Sequence, residues 1–246
     1  NDGITEWVNR GLFRRGASTV TLEMNLSNRL NFVFASAPDN AVSPAQNANP
    51  GPQGTSVLFR GNNFGVSNDV GNSNVVFAGG VTIIGQNGGV GGSTKGILPW
   101  AVVGRTDTVQ PIGTDREGYS FATVSNAGGG GTSLSGDRII RPLGTTEYSN
   151  ANIATGLDNN NLLFNANVTT TLAGANFSPN SITIEGGADI TLADGVRLAL
   201  QSGGILVRNT SVSVIDGGVI NQVNTSAPLN IWTIGTAQLT ISSAMN

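Results

Sequence analysis

The sequence contains no histidine and no cysteine. Without these residues it cannot build Ser-His-Asp or Cys-His nucleophilic sites, histidine-containing zinc sites, or the thiolate ligands of soft metals and redox centres. The lack of cysteine also excludes disulfides, although it does not identify a cellular compartment. Any catalysis would therefore depend on carboxylate, arginine, tyrosine or lysine side chains.

Charge is scarce as well. Charged residues make up 11% of the 246 residues, the formal net charge is −3, and Lys95 is the only lysine. The arginines are scattered apart from the adjacent Arg14 and Arg15, so no basic stripe is available for nucleic acid or an anionic membrane surface. No apolar run approaches the roughly 20 residues that cross a bilayer. The sequence predicts neither a nucleic-acid partner nor a membrane span.

Glycine, in contrast, is abundant, with 35 residues. From Leu162 to Ser243, short runs of alternating β-branched and small polar residues are separated by Gly-Gly and Asn/Asp turns. This alternation predicts half-buried strands, and the residues between them suit turns with positive φ. No helical pattern intervenes. The predicted fold class is therefore all-β, a solenoid of stacked strands.

The alternation also predicts which side chains face the core of this solenoid. They are expected to form one aliphatic stack, in which truncation to Ala should cost about 2–5 kcal/mol per residue. Its members are Ile182, Ile184, Ile190, Leu192, Leu198, Leu200, Leu206, Val214 and Ile220.

The N-terminal half is less regular. In residues 1–16 the apolar side chains are spaced as one face of a short helix, which would cap an open β end or connect two coils. Residues 17–246 are predicted to form a single continuous domain, with extended loops between residues 36 and 160. The strands predicted in this half are Thr19–Leu26, Leu30–Ala35, Val57–Arg60, Asn74–Phe77, Val81–Ile84, Ile97–Val103, Tyr119–Val124 and Arg138–Leu143.

Four short motifs in the middle of the chain follow one another in a fixed order. They are Ile97-Leu98-Pro99-Trp100, Ser120-Phe121-Ala122-Thr123-Val124, Ile140-Arg141-Pro142-Leu143 and Glu147-Tyr148. In this order the chain resembles the autotransporter-associated β-strand repeat proteins. The resemblance departs at Val124, where the family more often has Tyr. It implies a right-handed parallel β-helix from the secreted passenger of a large bacterial surface protein, without defined catalytic residues. It also implies that Asn1 and Asn246 are cuts in a longer coil.

Two groups of acidic residues are the candidates for a site. Asp107, Asp115 and Glu117 lie near Arg105 and Arg116, which would suit a β-helical polysaccharide lyase; the alternative is a solvated loop tip. Glu185, Asp189 and Asp194 could hold calcium through oxygen ligands if they shared a face, but they lack the established calcium-loop spacings. The simpler interpretation of this second group is that its aspartates are ordinary turn residues. No catalytic, cofactor-binding or metal-binding residue is assigned.

Asparagine and tryptophan leave alternatives open. Asn159-Asn160-Asn161 and Asn62-Asn63 could form amide ladders between stacked coils or could simply be solvated. Trp7, Trp100 and Trp232 could stack on sugars, although burial in strands is the expectation for them.

The predicted function is a non-catalytic structural or adhesive module of an extracellular, bacterial cell-surface protein, in which filament formation is one outcome. The alternative is a carbohydrate-active β-helix of the polysaccharide lyase or hydrolase type. No cofactor is expected, and calcium is the one metal that the sequence leaves open.

The expected partners are second copies, neighbouring β-helix segments of a longer chain or a surface polysaccharide. The C-terminal strands, Leu229–Ile234 and Leu239–Ser242, should contact protein because no cap follows them.

Overall fold

The structure is a computed structural model that describes residues 4–8, 16–22, 29–34, 55–65, 71–77, 81, 83–85, 89–105, 118–125, 139–151, 157–174, 176–208, 211–223 and 228–246. These residues are nearly all in β-structure, without an α-helix. None of them belongs to a helix long and apolar enough to span a membrane.

Eighteen strands can be followed along the described residues. The first nine are β1 Ile4–Val8, β2 Gly16–Leu22, β3 Leu30–Phe34, β4 Thr55–Gly61, β5 Ser73–Phe77, β6 Leu98–Arg105, β7 Tyr119–Val124, β8 Ile139–Pro142 and β9 Ser149–Asn150. The other nine are β10 Asn161–Phe164, β11 Thr169–Leu172, β12 Ser181–Glu185, β13 Asp189–Leu200, β14 Gly204–Arg208, β15 Val212–Gln222, β16 Asn230–Thr233, β17 Gln238–Ile241 and β18 Ala244–Met245. A short 3₁₀ turn, Thr145–Glu147, lies between β8 and β9.

Sheet 1 contains the first eight strands in the order β1-β3-β5-β8-β7-β6-β4-β2 and curls into a half-barrel. Strands β1, β3 and β5 form one parallel stack, and β2, β4 and β6 form another. The antiparallel pair β7–β8 lies between the two stacks and joins them. The chain thus passes repeatedly from one parallel stack to the other before the central pair completes the sheet.

Two expectations for this half were wrong. Ile4–Val8 is a parallel strand paired with β3, not part of a helix, because apolar spacing alone does not separate the two in so short a segment. Of the predicted strand Val81–Ile84, residues 81, 83 and 84 are described, and among these only Ile84 pairs, in an isolated bridge to Ile97. The antiparallel pairs of sheet 1 also differ from the uniformly parallel coil that was predicted.

In the second half the chain alternates between two parallel sheets. Sheet 2 has the order β16-β14-β12-β10-β9, and sheet 3 has the order β11-β13-β15-β17, with β18 also paired to β15. Each coil adds one strand to each sheet. Residues stack in register from coil to coil, as in the row Leu162, Ile182, Ile205 and Ile231.

Sheet 3 bends within its strands at glycine-rich corners. The predicted turns at residues 193–195 and 216–218 prove to be bends inside β13 and β15, where the register shifts after Leu192. Gly217 has a φ of 72°, and a Cβ there would lie 2.2 Å from the carbonyl oxygen of Leu192. Only glycine can occupy this corner without strain, so the corner divides each long strand into two straight segments.

The described residues form three apolar cores, of which two lie between sheets and one lies on sheet 1. One core lies between sheets 2 and 3 and contains Leu162, Ile182, Ile190 and Ile205. A second core on sheet 1 is rich in phenylalanine, and Phe34 and Phe77 stack there with ring centroids 5.1 Å apart. A third core packs sheet 1 against the other face of sheet 2. Sheet 2 is therefore covered on both faces, which is typical of parallel strands.

The predicted aliphatic stack is confirmed at seven positions and needs correction at two. Val214 is only partly buried, because Ser213 and Ile215 supply the inward positions of β15. Leu206 is buried, but it belongs to the core against sheet 1 rather than to the core between sheets 2 and 3. Both differences arise where a strand has apolar residues on both faces.

The row Leu162, Ile182, Ile205 and Ile231 offers a matched test of this packing. Ile205 is fully buried, whereas Ile231 in the last coil is 44% exposed. Replacing Ile205 with Ala should therefore lower the free energy of unfolding by about 2–5 kcal/mol. The same change at Ile231 should cost about 1 kcal/mol, because water already reaches that side chain. Equal costs in denaturant unfolding would show that the proposed inward row is wrong.

Candidate functional site

The first predicted acidic group lies outside the described residues. Asp107, Asp115, Arg116 and Glu117 all fall there, and so does the side chain of Arg105, whose backbone ends β6. The lyase-like arrangement of these residues stays a prediction.

The second acidic group is described, and the structure does not bring its members together. Glu185 accepts a hydrogen bond from Arg208 at 3.0 Å. Asp189 accepts one from the backbone N–H of Val214 at 3.2 Å, and Asp194 is exposed at the corner of β13. Across the described parts of the chain, no three acidic side chains lie close enough to hold a metal ion. Glu185 and Asp189 instead link neighbouring coils.

A buried polar cluster lies where the loop before β6 meets the first coils of the second half. We call it the polar junction; its members are Gly91, Ser93, Lys95, Arg141, Gly144, Glu147, Asn160, Asn161, Asn180 and Ser181. Asn161, Asn180 and Ser181 are fully buried, and Lys95 and Glu147 are 1% exposed. The other members of the junction are partly or fully exposed.

Asn161 is the centre of the polar junction. Its Nδ2 donates to the carbonyl oxygens of Lys95 at 2.8 Å and Glu147 at 3.3 Å. Its Oδ1 accepts from Asn180 Nδ2 and from Ser181 Oγ, both at 2.8 Å. All four hydrogen-bonding positions of the amide are therefore used. Of the two alternatives for Asn161, an amide ladder or a solvated side chain, the structure shows a buried amide that bonds to the next coil. Its partner Asn180 is not the equivalent residue, because Ser181 lies in register with Asn161.

Asn63 fits the solvated alternative, because it is exposed and donates to Gly71 within its own loop at 3.3 Å. A ladder that was not predicted joins Asn74 Nδ2 to Asn31 Oδ1 at 3.0 Å between β5 and β3. These two asparagines are in register on paired parallel strands, whereas Asn180 precedes β12 and is one position out of register with Asn161.

Glu147 binds four donors in the same junction. Its Oε2 accepts from Arg141 Nη1 at 2.6 Å and from the Gly144 N–H at 2.8 Å. Its Oε1 accepts from Arg141 Nη2 at 2.7 Å and from the Gly91 N–H at 2.9 Å. The bidentate pair joins β8 to the following turn, while Gly91 attaches the glycine-rich loop.

Burial and these bonds act in opposite directions on Glu147. Burial raises the pKa of its carboxyl group, but the hydrogen bonds from Arg141, Gly91 and Gly144, together with the charge of Arg141, outweigh it and hold the pKa below its usual value. Glu147 is therefore an ionised structural carboxylate rather than a proton donor near neutral pH.

A second ion pair lies within sheet 2, and its arginine also bonds to sheet 1. Arg208 of β14 contacts Glu185 of the neighbouring β12, and its Nη1 donates to the carbonyl oxygen of Tyr119 in β7 at 2.7 Å. The Arg208 side chain is 8% exposed. Gly204 lies on the same face, where a Cβ would approach the Phe121 ring to within 2.9 Å. This face of sheet 2 is thus fitted to sheet 1.

Trp100 and Trp232 have structural roles, because both pack against other parts of the chain. Trp100 is 3% exposed within the core of sheet 1. Trp232 is half-buried against sheet 1 and donates its indole N–H to the carbonyl oxygen of Pro99 at 3.0 Å. The side chain of Trp7 lies outside the described residues.

The sequence contained signals for both ion pairs, but they were not recognised. Arg141 and Glu147 flank a Pro-Leu-Gly segment that turns the chain back, and Glu185 and Arg208 occupy the same row of two paired strands. Both ion pairs attach neighbouring elements to one another: together they hold the glycine-rich loop, the turn after β8 and sheets 1 and 2 in fixed positions.

The Asn161 ladder predicts a large effect of one amide. Replacing Asn161 with Ala would remove the partner of the Glu147 carbonyl oxygen and of two buried donors, on Asn180 and Ser181, while the Lys95 carbonyl oxygen would keep its bond from Asn180. We expect the free energy of unfolding to fall by at least about 3 kcal/mol, since each buried unsatisfied group costs about 1–3 kcal/mol. The matched control is Asn160→Ala, whose half-exposed side chain bonds Ser93 and the carbonyl oxygen of Asp158. It should cost about 1 kcal/mol, and equal effects in denaturant unfolding would contradict the central role of Asn161.

The Glu147 pair predicts a pH-dependent contribution to stability. Because the folded pKa lies below the unfolded value of about 4.3, the stabilisation is complete above that value and is lost as the pH falls through the folded pKa. Glu147→Gln should cost about 3–5 kcal/mol at neutral pH. In denaturant unfolding, the difference from the unsubstituted protein should shrink as the pH falls through the lowered folded-state pKa of Glu147. A difference that stays constant with pH would show that the ion pair does not contribute in this way.

No protein-family model matches this chain, and no curated protein or solved structure shows significant similarity to it.

Proposed function

We propose that this chain is a non-catalytic structural or adhesive module of a bacterial cell-surface protein, displayed as part of a long right-handed parallel β-helix. The observation that carries this proposal is the in-register stacking of successive coils in sheets 2 and 3. The row Leu162, Ile182 and Ile205 runs through three coils without exposure to water. Such rows allow a chain to extend by adding coils, which suits a spacer or a display scaffold.

The buried charges support the same role. Arg141 is bonded to Glu147, and Arg208 to Glu185, so these groups stabilise contacts between elements. Neither pair is arranged as an acid and a base of different strength facing a common cleft. The polar chemistry that the structure describes therefore favours a scaffold over a reaction centre.

The ordered motifs that resemble the autotransporter-associated repeat proteins support an extracellular, cell-surface location. Two of these motifs have a clear structural role here. Ile140-Arg141-Pro142-Leu143 and Glu147-Tyr148 supply the buried ion pair, and Tyr148 also shares a hydrogen bond with Ser120 at 2.6 Å. If the motifs serve the same contacts elsewhere, they mark a shared scaffold rather than a shared active site.

The outward face of sheet 3 is the surface that we assign to adhesion. Its exposed positions carry the polar residues Thr169, Thr171, Asp216 and Thr240, together with Val212, which is 51% exposed. Hydroxyl and carboxylate groups on a regular sheet can hydrogen-bond to sugar hydroxyls without a deep pocket. A surface polysaccharide is therefore the ligand class that we propose for this face, next to protein partners at the coil ends.

An activity assay separates this proposal from a carbohydrate-active β-helix. We expect no release of unsaturated products or reducing ends when the purified chain is incubated with a panel of uronic-acid and neutral polysaccharides, with or without calcium. Asp115→Asn and Arg116→Gln serve as controls, because these residues would form the alternative active site. Cleavage that disappears in either variant would establish the enzyme and overturn the proposal.

The location can be tested on producing cells. Protease added to intact cells should remove the chain, as followed with an antibody, while a cytoplasmic marker stays intact. Protection of the chain until the cells are lysed would contradict display at the surface.

A further inference from the structure

The glycine-rich loop before β6 has an exposed tip, residues 89–92. Val90 is 56% exposed, and a Cβ added to Gly89 would meet no atom within 4 Å. Among the described residues, one hydrogen bond joins this tip to the rest of the protein: the Gly91 N–H donates to Glu147 Oε1 at 2.9 Å. The tip therefore opens at a low cost in free energy, because it buries little and its glycines gain conformational freedom on release.

Exposed tips of this kind are preferred sites of cleavage in folded proteins, because a protease must draw several residues away from the surface. Val90 presents an apolar side chain between two glycines. This suits an endoprotease of the elastase type, whose pocket takes a small residue before the cut bond. Hydrolysis breaks the C–N bond between Val90 and Gly91, and one water molecule supplies the hydroxyl of the new Val90 carboxyl group and a hydrogen of the new Gly91 amine.

The parts of the chain before and after this bond are interleaved in sheet 1. The first part contains β1 to β5, and the second part contains β6 to β8. Even so, β4 pairs with β6 and β5 pairs with β8. The phenylalanine-rich core also takes side chains from both parts, such as Phe77 and Ile140. Separation would expose that core and leave two inner strand edges unpaired, so a cut at the tip leaves the parts held together.

The cut also places a new charge beside Glu147. The backbone nitrogen of Gly91 lies 2.9 Å from Glu147 Oε1, and Glu147 is 1% exposed. After hydrolysis this nitrogen belongs to an α-amino group, which is largely protonated at neutral pH because such groups titrate near about pH 8. The neutral hydrogen bond thus becomes a charge-assisted one, which is roughly twice as strong. Arg141 Nη2 shares Oε1 at 2.7 Å, so one carboxylate would hold both the turn after β8 and the new chain end.

We propose that the bond between Val90 and Gly91 is a processing site for an endoprotease that accepts a small apolar residue before the cut. The product is a two-chain assembly in which the α-ammonium group of Gly91 pairs with Glu147. Cleavage replaces the exposed tip by a fixed, charged chain end, while both parts of sheet 1 stay in place. This inference goes beyond the proposed function, and neither depends on the other.

Lysine provides a single-site test in the whole 246-residue chain. The only lysine, Lys95, is 1% exposed, so a lysine-specific endoprotease should leave the folded, unsubstituted protein intact. Val90→Lys adds one exposed lysine at the tip, and the cut after it produces the same Gly91 chain end. Mass spectrometry identifies the cut, size-exclusion chromatography reports whether the parts stay together, and circular dichroism verifies that the protein is folded.

We expect folded Val90→Lys to be cut at position 90 at least about tenfold faster than the unsubstituted protein is cut at Lys95. The cut protein should elute as one species until denaturant is added. A folded variant that resists the protease, or parts that separate without denaturant, would overturn the proposal. On the unsubstituted chain, an elastase-type protease should produce a Gly91 N-terminus while the protein is still folded. If that protease cuts the bond only in denatured chain, the site is not accessible and the proposal is wrong.

The ion pair at the new chain end has a separate readout. In the cut Val90→Lys protein, an amine-acylating reagent should modify the α-amine of Gly91 at least about tenfold more slowly than in a free peptide of the same sequence. Glu147→Gln in the same background should remove most of this protection, whereas the control Asp158→Asn, at an exposed carboxylate, should retain it. Equal acylation with and without Glu147 would show that the pair does not form. If Glu147→Gln does not fold, the comparison with the free peptide decides.

Discussion

The structure depends on sheet 2 being buried on both of its faces. One face shares an aliphatic core with sheet 3, and the other packs on sheet 1 through Leu206, Tyr119 and Phe121. β14 shows the consequence most clearly, because each of its residues is buried. A strand in this position cannot place polar side chains on either face unless they find partners. The ion pair of Arg208 and the ladder of Asn161 satisfy that requirement at the borders of the sheet.

These buried polar contacts also give the two halves of the chain a defined relative position. Apolar packing between sheets tolerates sliding, whereas Arg208 meets the Tyr119 carbonyl and Asn161 meets the Lys95 carbonyl in one arrangement only. Burial of charge contributes little net stability on average, but an unpaired buried charge is strongly unfavourable. Alternative registers between the halves would break the bonds from Arg208 to the Tyr119 carbonyl and from Asn161 to the Lys95 carbonyl, and each lost bond between buried groups is unfavourable. The polar groups are thus best understood as devices that specify a single structure.

Sequence patterns predicted the strands of this fold much better than their arrangement. Strands such as Tyr119–Val124 have clear alternation and clear turn residues, so their bounds were predicted to the residue. The facing of Val214 could not be predicted, because its strand carries β-branched residues at Val212, Val214 and Ile215, on both faces. The antiparallel pair β7–β8 was missed for another reason. Pairing across a long connection depends on tertiary packing, which local periodicity does not report.

The candidate site was predicted only in part. For Asn161 the sequence left an amide ladder and a solvated side chain open, and a ladder would have joined equivalent asparagines. The structure instead bonds Asn161 to Asn180, one position out of register. The roles of Glu147 and Glu185 depend on which arginine lies nearby in space, and each arginine comes from a different strand or turn. Such pairings emerge only when the sheets are assembled.

The strand order of sheet 1 has a consequence for how the chain reaches its native state. During synthesis β1 and β2 appear first, yet they end at the two outer edges, and the central pair β7–β8 appears last. The two parallel stacks have no direct pairing to each other until this pair is inserted between β5 and β6. The half-barrel therefore cannot be completed until residues up to Pro142 have been made. Until then, the inner edges of β5 and β6 lack their hydrogen-bonding partners. Proteins dominated by such distant pairings fold slowly, so chaperone protection during this interval would be of direct use to this chain.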